Sequence, residues 1–304
     1  MLCIPSSFKT TIQDVHGEQG KQWIEKLPST IQEIEEKLSL QVIQSCSNLS
    51  YNYVSIARKE NGQDVVLKLG VPSDDLKNEI EALRYFQGEG TVALLDSDSD
   101  YGYLLLEYIK PGMSLAYIEN EEKATTIIGQ TMKKLWKPVP TLYTFPSIEQ
   151  WSKGLQRLRV HFDGDTGPLP KDLVNKAEDL FPQLIKTISK PLLLYGDLHH
   201  DNALCMGTDQ WLAIDPKGVI GEAEYETIAY LRNHLFNKSN PKKVLANRIQ
   251  QLAEELQLDK ERMIAWGLSH CILSSWWYFE SHDRVPEETI ACARWFDELR
   301  VSLK

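Results

Sequence analysis

The feature that most constrains this 304-residue chain is a polar loop between two short apolar runs. The loop reads Gly-Asp-Leu-His-His-Asp-Asn at residues 196–202, after the apolar run 191–195. A second apolar run, 211–214, leads directly into Asp215. Short apolar runs of this kind predict buried strands, and loops held by such strands commonly present catalytic side chains. We therefore expect the chemistry of the chain at residues 196–215.

Asp197 and Asn202 stand five positions apart, which is the spacing typical of a catalytic loop for phosphoryl transfer. That chemistry needs one carboxylate that accepts the proton of an attacking hydroxyl group. It also needs an amide oxygen and a second carboxylate to hold Mg²⁺ against nucleotide phosphates. In this chain Asn202 offers the amide oxygen, and Asp215 offers the carboxylate. The alternative for all three residues is a structural role in capping turns.

Lys68 lies in a predicted strand, 64–69, which is rich in β-branched residues. Alternation places Lys68 on the same face as Val66 and opposite the other apolar residues of the strand. On the helix predicted next, Glu79 falls inside the apolar stripe at 100° per residue, whereas Glu81 falls on the solvent side. A carboxylate in an apolar stripe needs a partner that offsets its desolvation. We therefore predict an ion pair between Lys68 and Glu79; a surface lysine and a solvated acid are the alternative.

The predicted elements divide the chain at the turn-forming sequence Lys-Pro-Gly, residues 110–112. Residues 1–109 mix helices with the strands 64–69 and 101–109, after a helical N-terminal extension. Residues 110–304 are mostly helical. We predict an α+β chain with a small N-terminal β-sheet lobe, 1–109, and a larger, mainly helical C-terminal lobe, 110–304.

Charge and cysteine content exclude several classes of partner. The 33 basic and 43 acidic side chains give a net charge of -10, so no nucleic acid is expected, and a cationic small molecule suits the chain better. The five cysteines form no CxxC pair, so neither a zinc site nor a dithiol redox site is indicated. No apolar run could span a bilayer, and residues 1–17 lack a secretory pattern. We expect a cytoplasmic monomer or homodimer without a membrane partner.

Taken together, these motifs resemble the streptomycin 6-kinase and hydroxyurea-resistance kinase family of the aminoglycoside phosphotransferases. The resemblance covers roughly residues 20–300, and its motifs occur in the family's order. It rests on Lys68, on the helix EIEALRYFQG, on the hinge LLLEYIKPG, and on the segments LLYGDLHHDNAL and WLAIDPKG. It implies a bilobal protein-kinase-like fold and transfer of the γ-phosphate of ATP to a hydroxyl group of a small molecule. An aminoglycoside such as streptomycin is the implied acceptor, with antibiotic resistance as the consequence.

The resemblance also implies roles for the residues of the catalytic segment. Asp197 would be the catalytic base, and Asn202 and Asp215 would bind Mg²⁺. Lys217, in the IDPKG segment, would lie near the phosphates or the acceptor. Tyr195 stands where aminoglycoside kinases usually carry histidine, a position that is mainly structural in the fold.

Nucleotide-binding roles follow in the same way. Lys68, paired with Glu79, would hold the α and β phosphates of ATP, and the backbone of the segment from Glu107 to Ile109 would bind the adenine edge. The phosphate-covering loop, 45–53, contains no glycine. Its contacts to phosphate are therefore expected from the backbone of residues 48–51.

Acidic residues of the C-terminal lobe are the candidates for contact with a cationic acceptor. We name Asp163, Asp165 and Glu222, each of which has solvated surface as its alternative role. Two rival functions stay open. One is a kinase of another small metabolite or sugar alcohol with incidental drug activity. The other is a nucleotide-binding pseudokinase module, supported only by the glycine-free loop.

Overall fold

The computed structural model describes residues 4–47, 49–207 and 209–302. Its chain divides into two compact units between Gly112 and Met113. This division lies three residues beyond the boundary expected between residues 109 and 110. Each unit has its own core of buried apolar side chains.

The first unit is an antiparallel sheet with two helices. Among the described residues its strands follow the order β1-β2-β3-β5-β4, and every neighbouring pair is antiparallel. In chain order the elements are α1 (Ser6–Leu38), β1 (Leu40–Ser45), β2 (Tyr53–Lys59), β3 (Asp64–Leu69), α2 (Asp74–Phe86), β4 (Leu94–Asp98) and β5 (Tyr103–Glu107).

Helix α1 forms the predicted helical extension at the N-terminus; it spans 33 residues and is bent at Gly17, whose φ of 56° lies outside the helical region. Its apolar face covers one face of the sheet, where Leu67 and Leu69 of β3 are buried with it. Burial of this face supplies the stability that a bent helix does not have on its own. The helix residues in this core are Phe8, Ile12, Ile24, Leu27, Ile31 and Ile34.

Helix α2 begins as its sequence predicts. The hydroxyl of Ser73 accepts the N–H of Leu76 at 3.2 Å, which satisfies one of the unpaired donors of the first turn. The helix ends at Phe86, where Gln87 adopts a left-handed conformation. Its Glu79 reaches Lys68, so α2 lies on the face of the sheet opposite to α1.

The second unit is mainly helical, with two small pieces of antiparallel sheet. Strand β7 pairs with β6 and β10, and β8 pairs with β9. The elements are α3 (Glu121–Leu135), β6 (Lys137–Pro138), α4 (Ile148–Ser152), α5 (Gly154–His161), α6 (Lys171–Lys186), β7 (Leu192–Leu194), β8 (Ala203–Cys205), β9 (Trp211–Ala213), β10 (Val219–Gly221), α7 (Ala223–Glu226), α8 (Ile228–Arg232), α9 (Pro241–Leu256), α10 (Lys260–His282) and α11 (Glu287–Ser302).

Helices α9 and α10 each begin directly after a side chain that caps their first turn. Asn240 accepts the N–H of Lys243 ahead of α9, and Asp259 accepts the N–H of Arg262 ahead of α10. Helix α10 is buried along most of its length and therefore forms the centre of this unit. No helix within the described residues is long and apolar enough to cross a membrane.

The two strands predicted around the polar loop are present as β7 and β9, but they belong to different pieces of sheet. Strand β8, which the sequence did not indicate, begins directly after the loop and pairs with β9. The loop is therefore held by strand pairing at both of its ends.

Candidate active site

The predicted ion pair is present in the first unit. Lys68 Nζ lies 2.6 Å from Glu79 Oε1, and both side chains are buried. Opposite charges at this distance offset the desolvation that each would otherwise suffer. An ammonium group carries three donors, so its bond to Glu79 is compatible with further bonds to phosphate oxygens.

The predicted adenine-binding segment follows the end of β5. The backbone N–H of Glu107 donates to the carbonyl of Ala93 at 3.0 Å, so an adenine contact would use other backbone groups of the segment. Ile109 is buried, and the exposed Lys110 is bonded through Nζ to Asp64 Oδ2 at 2.9 Å. The segment is thus anchored by sheet bonds, an apolar side chain and an ion pair.

The connection between β1 and β2 contains the predicted phosphate loop. Asn48, at the start of the predicted contact, lies outside the described residues. Tyr51 is exposed. The role of residues 48–51 stays a prediction.

In the second unit, a tight turn leads from β7 into Asp197. Gly196 has a φ of 90°, and a Cβ built on it would lie 3.0 Å from Val219 Cγ1. The carbonyl of Tyr195 accepts the backbone N–H groups of Lys217 and Gly218. Only glycine combines this left-handed conformation with this close approach. The turn therefore presents Asp197, a half-buried residue, at the end of a rigid strand.

Glu226 holds the same turn from the other side. Its Oε2 accepts the N–H of Tyr195 at 2.6 Å, and its Oε1 accepts the N–H of Gly196 at 3.0 Å. Burial raises the pKa of Glu226 to about 7; the nearby charge of Asp197 acts in the same direction, and the two hydrogen bonds oppose both. Sequence reasoning missed this residue. The available signal was an acid two positions before the apolar run of α8.

Asn202 closes the catalytic loop onto its own beginning. Its side-chain Nδ2 donates to the backbone carbonyl of Asp197 at 2.9 Å. The backbone carbonyl of Asn202 accepts the backbone N–H of Ile214, also at 2.9 Å. The pairing of Ala203 with Ala213 continues this contact into the hairpin of β8 and β9. Asn202 and Asp215 therefore lie at the same end of this hairpin.

This arrangement fits a Mg²⁺ ion that arrives with a nucleotide. Because the amide nitrogen of Asn202 is used by Asp197, its amide oxygen is the atom left to face a cation. Mg²⁺ is usually bound by one or two protein oxygen ligands together with substrate phosphates and water. Across the described ranges, no cluster of three or more His, Cys, Asp or Glu residues could hold a metal by itself. Asn202 and Asp215 would supply one or two such oxygen ligands to an ion that arrives with a nucleotide.

His200, in the middle of the loop, is a buried packing group. Its ring stacks on Tyr230 at a centroid distance of 4.4 Å, and its Nε2 accepts from Arg248 Nη2 at 3.2 Å. Burial, followed by the charge of Arg248, lowers the pKa of His200 to about 2. The neighbouring Asp201 is bonded to His234 Nε2 at 2.7 Å. The loop is therefore anchored by its side chains as well as by its backbone.

Arg248 is the centre of this anchoring network, and sequence reasoning missed it too. It is 1% exposed and donates to both Glu121 and the carbonyl of Asn233, the latter at 2.7 Å. A further bond reaches the carbonyl of Tyr230 at 3.1 Å. Through these contacts α9 connects α3, the end of α8 and the catalytic loop. A lone arginine in the apolar stripe of α9 was the only signal in the sequence.

Three of the four residues predicted to contact the acceptor are exposed. Lys217 is exposed, and its backbone is fixed by the carbonyl of Tyr195. Asp163 and Asp165 are exposed on the connection between α5 and α6. Two effects hold the pKa of Asp165 below its usual range: the larger is the hydrogen bond from the backbone N–H of Thr166, and the smaller is the nearby Lys171.

Glu222 needs a correction. It is buried, and its Oε1 accepts from Arg262 Nε at 2.6 Å and from Trp266 Nε1. A carboxylate engaged in this way connects β10 and α7 to α10 and is not available to an acceptor. The structure therefore gives Glu222 a structural role.

The chain is similar in sequence to a family of antibiotic-resistance kinases. The family model described as "Aminoglycoside/hydroxyurea antibiotic resistance kinase" matches residues 39–281. A streptomycin 6-kinase of Streptomyces glaucescens is 24% identical over 91% of this chain and 91% of its own length. A hydroxyurea phosphotransferase of Kitasatospora aureofaciens is 28% identical over 91% of this chain and 81% of its own length.

A solved structure extends the comparison to the fold. A thermostable mutant of aminoglycoside phosphotransferase APH(4)-Ia, in ternary complex with AMP-PNP and hygromycin B, matches with a TM-score of 0.62 at 14% identity. The match covers 89% of this chain and 97% of that one. The likeness confirms the predicted protein-kinase-like fold, with its N-terminal sheet and mainly helical remainder.

Proposed function

Because the chain belongs to the aminoglycoside/hydroxyurea antibiotic resistance kinase family, we propose that it transfers the γ-phosphoryl group of ATP to a hydroxyl group of a small molecule. The observation that carries this proposal is the geometry of the catalytic loop. Asp197 stands on a turn held by Glu226, and Asn202 and Asp215 lie together at one end of a hairpin. That is the set of oxygen groups that phosphoryl transfer to an alcohol requires.

On the nucleotide side, Lys68 is the phosphate-binding residue of the proposal. Its ion pair with Glu79 offsets the cost of burying the ammonium group and orients it. The segment from Glu107 to Ile109 would hold the adenine edge through its backbone. These residues bind and orient ATP, and they exchange no proton with the acceptor.

On the acceptor side, Asp197 orients the hydroxyl group and accepts its proton as the oxygen attacks the γ-phosphorus. The bond from that phosphorus to the bridging oxygen breaks, and ADP leaves with the bridging oxygen. Base catalysis of this kind contributes about 10²–10⁴-fold to a rate. When bound, Mg²⁺ neutralises charge on the phosphates, and Asn202 and Asp215 would be its protein ligands. Positioning of the reactants contributes much of the remaining acceleration.

The acceptor we put first is an aminoglycoside such as streptomycin. Its support is the two relatives named as streptomycin 6-kinases, each 24% identical, and the net charge of -10, which favours a cationic molecule. Asp163, Asp165 and Lys217 are the exposed polar groups proposed to contact it. We place the reaction in the cytoplasm, where ATP is available.

A second acceptor class has a specific observation in its favour. The relative named hydroxyurea phosphotransferase is 28% identical, which is at least as similar as the streptomycin kinases. Relatives with different named substrates at similar identity leave room for another small metabolite or a sugar alcohol. A pseudokinase module has only the glycine-free loop in its support.

A coupled assay of ATP consumption tests these alternatives. The panel contains streptomycin, other aminoglycosides, hydroxyurea and simple sugar alcohols, and each product is identified by mass spectrometry. Phosphorylated streptomycin would support the first acceptor, and another phosphorylated compound the second. Nucleotide binding without any turnover would favour the pseudokinase.

The variant Asp197→Asn tests the proposed base directly. It keeps the size of the side chain and removes the basic carboxylate, so turnover should fall by at least about 10²-fold while nucleotide still binds. Asp209→Asn is the matched control, because Asp209 is exposed and lies beyond the hairpin strand β8. Wild-type turnover in Asp197→Asn would overturn the assignment.

A further inference from the structure

A cavity lies in the C-terminal unit, and its lining contains none of the residues assigned to phosphoryl transfer. Its volume is about 460 Å³, within the range of roughly 300–1,000 Å³ usual for small-molecule sites. Its walls come from the end of α8, the connection to α9, and the first turns of α11. Its polar lining includes Arg232, His234, Asn237, Glu288 and Thr289.

Arg232 gives this cavity an uncompensated positive charge. Its Nη1 donates to the hydroxyl of Ser274 at 2.9 Å, whereas its Nε is buried and has no hydrogen-bond partner among the described residues. Within that same part of the chain, it forms no ion pair with a carboxylate. The half-buried guanidinium group thus has no counter-charge within the protein, and one of its donors is buried without a partner, so it favours an anion from outside.

Three other arginines of this unit that are partly or fully buried have a carboxylate partner. Arg159 bonds Glu178 at 2.6 Å, Arg248 bonds Glu121 at 2.8 Å, and Arg262 bonds Glu222 at 2.6 Å. The half-buried Arg300 forms no ion pair among the described residues, but it does not line the cavity. Arg232 has a hydroxyl group and a cavity instead.

The groups that face Arg232 do not replace a carboxylate. His270 is fully buried, and its burial, followed by the charge of Arg232, holds its pKa well below the usual range, so it stays neutral. Its Nδ1 is bonded to the hydroxyl of Tyr225 at 2.7 Å. Burial raises the pKa of Tyr225, which stays protonated. Glu288 lines the same cavity but is exposed and is not paired with Arg232 in the described structure.

We propose that this cavity binds an anionic group, a carboxylate or a phosphate, with Arg232 as its counter-charge. The planar fork of a guanidinium group matches both anions and can bind either through two parallel hydrogen bonds. Asn237 and Thr289 line the cavity and supply further polar groups. The site is thus chemically distinct from one that would attract a polycationic drug.

The position of the cavity connects it to the catalytic loop. His234 lines the cavity, and its Nε2 is bonded to Asp201 Oδ2 of that loop at 2.7 Å. An anion on Arg232 would therefore lie beside a residue that anchors the loop. Occupancy can nevertheless be measured without ATP or an acceptor, so its test does not depend on the proposed function.

Isothermal titration of the full chain, with inorganic phosphate and separately with succinate at constant ionic strength, tests the proposal. We expect saturable binding of one anion per chain. Tighter binding of phosphate would identify a phosphoryl group as the ligand chemistry, and tighter binding of succinate a carboxylate. Absence of saturable binding of either anion would overturn the proposal.

Variants then locate the site. Arg232→Gln should weaken binding at least about tenfold, which corresponds to about 1.4 kcal/mol. Arg232→Lys keeps the charge without the fork and should give an intermediate affinity. Arg84→Gln, at an exposed arginine that also bonds a hydroxyl group, is the matched control and should bind as the wild type does.

Lys68, the residue proposed to bind nucleotide phosphates, is a second candidate for binding inorganic phosphate, so Lys68→Met is titrated in parallel. Retained binding in Lys68→Met together with weakened binding in Arg232→Gln supports the cavity. The reverse pattern would assign the anion to Lys68 and overturn the proposal. Thermal unfolding of each variant verifies that it is folded before titration.

Discussion

Glu226 Oε1 accepts the backbone N–H of Gly196 at 3.0 Å, although the two residues are 30 positions apart in the chain. The other oxygen of the same carboxylate accepts the N–H of Tyr195. A single buried side chain therefore sets the direction in which the backbone enters Asp197. This makes Glu226 a positioning residue for the proposed base rather than a group that touches substrate.

Removal of Glu226 should lower turnover more than substrate binding. In Glu226→Ala the turn loses two hydrogen bonds, and a displacement of Asp197 by about 1 Å is expected to cost on the order of 10²-fold in kcat. Steady-state kinetics should show KM for the acceptor nearly unchanged. Glu224→Ala, two residues earlier on α7, is the control. A rise in KM with unaltered kcat would contradict the positioning role.

Glu226 should also make stability depend on pH. Its pKa is about 7 in the folded chain and about 4.5 when unfolded, so between these values the folded state binds the extra proton. The free energy of unfolding therefore falls as pH rises from 4.5 to 7, by at most about 1.4 kcal/mol per pH unit. Urea unfolding at several pH values should show a smaller fall in Glu226→Gln. Parallel curves for the variant and the wild type would refute this origin of the pH dependence.

The ion pair of Lys68 and Glu79 predicts a difference between two acids on one helix. Glu79→Ala leaves a buried ammonium group without its carboxylate, so the affinity for ATP should fall about tenfold or more. Glu81→Ala, at a more exposed position of α2, should have little effect. KM for ATP in the coupled assay measures both. Equal effects would show that nucleotide binding does not depend on this pair.

Arg248 should be a large contributor to stability. Arg248→Met leaves Glu121 and the carbonyls at the end of α8 without their donor, which is expected to cost about 3–5 kcal/mol in the free energy of unfolding. Urea denaturation measures this loss. Arg294→Met, on the exposed face of α11, is the matched control and should stay within about 0.5 kcal/mol of the wild type.

The elements that the sequence predicted well are those whose signals are local. Strand β3 and helix α2 have the predicted alternation and apolar stripe, and these two periodicities turn Lys68 and Glu79 toward each other across 11 positions. Ser73 and Asp259 cap their helices because a cap acts on the next few residues. The bend of α1 at Gly17 escaped prediction because burial against the sheet, rather than periodicity alone, stabilises that helix.

The sequence alone determined the faces of single elements, the catalytic spacing from Asp197 to Asn202, and the family resemblance. Tertiary structure alone decided which distant side chains support that spacing. Glu226 reaches the turn, Arg248 reaches the loop, and Glu222 is taken out of the acceptor candidates by Arg262. The physical reason is that a buried charge has to find a partner wherever packing brings one. Periodicity along one element shows that a partner is needed, whereas only the packed chain shows which residue it is.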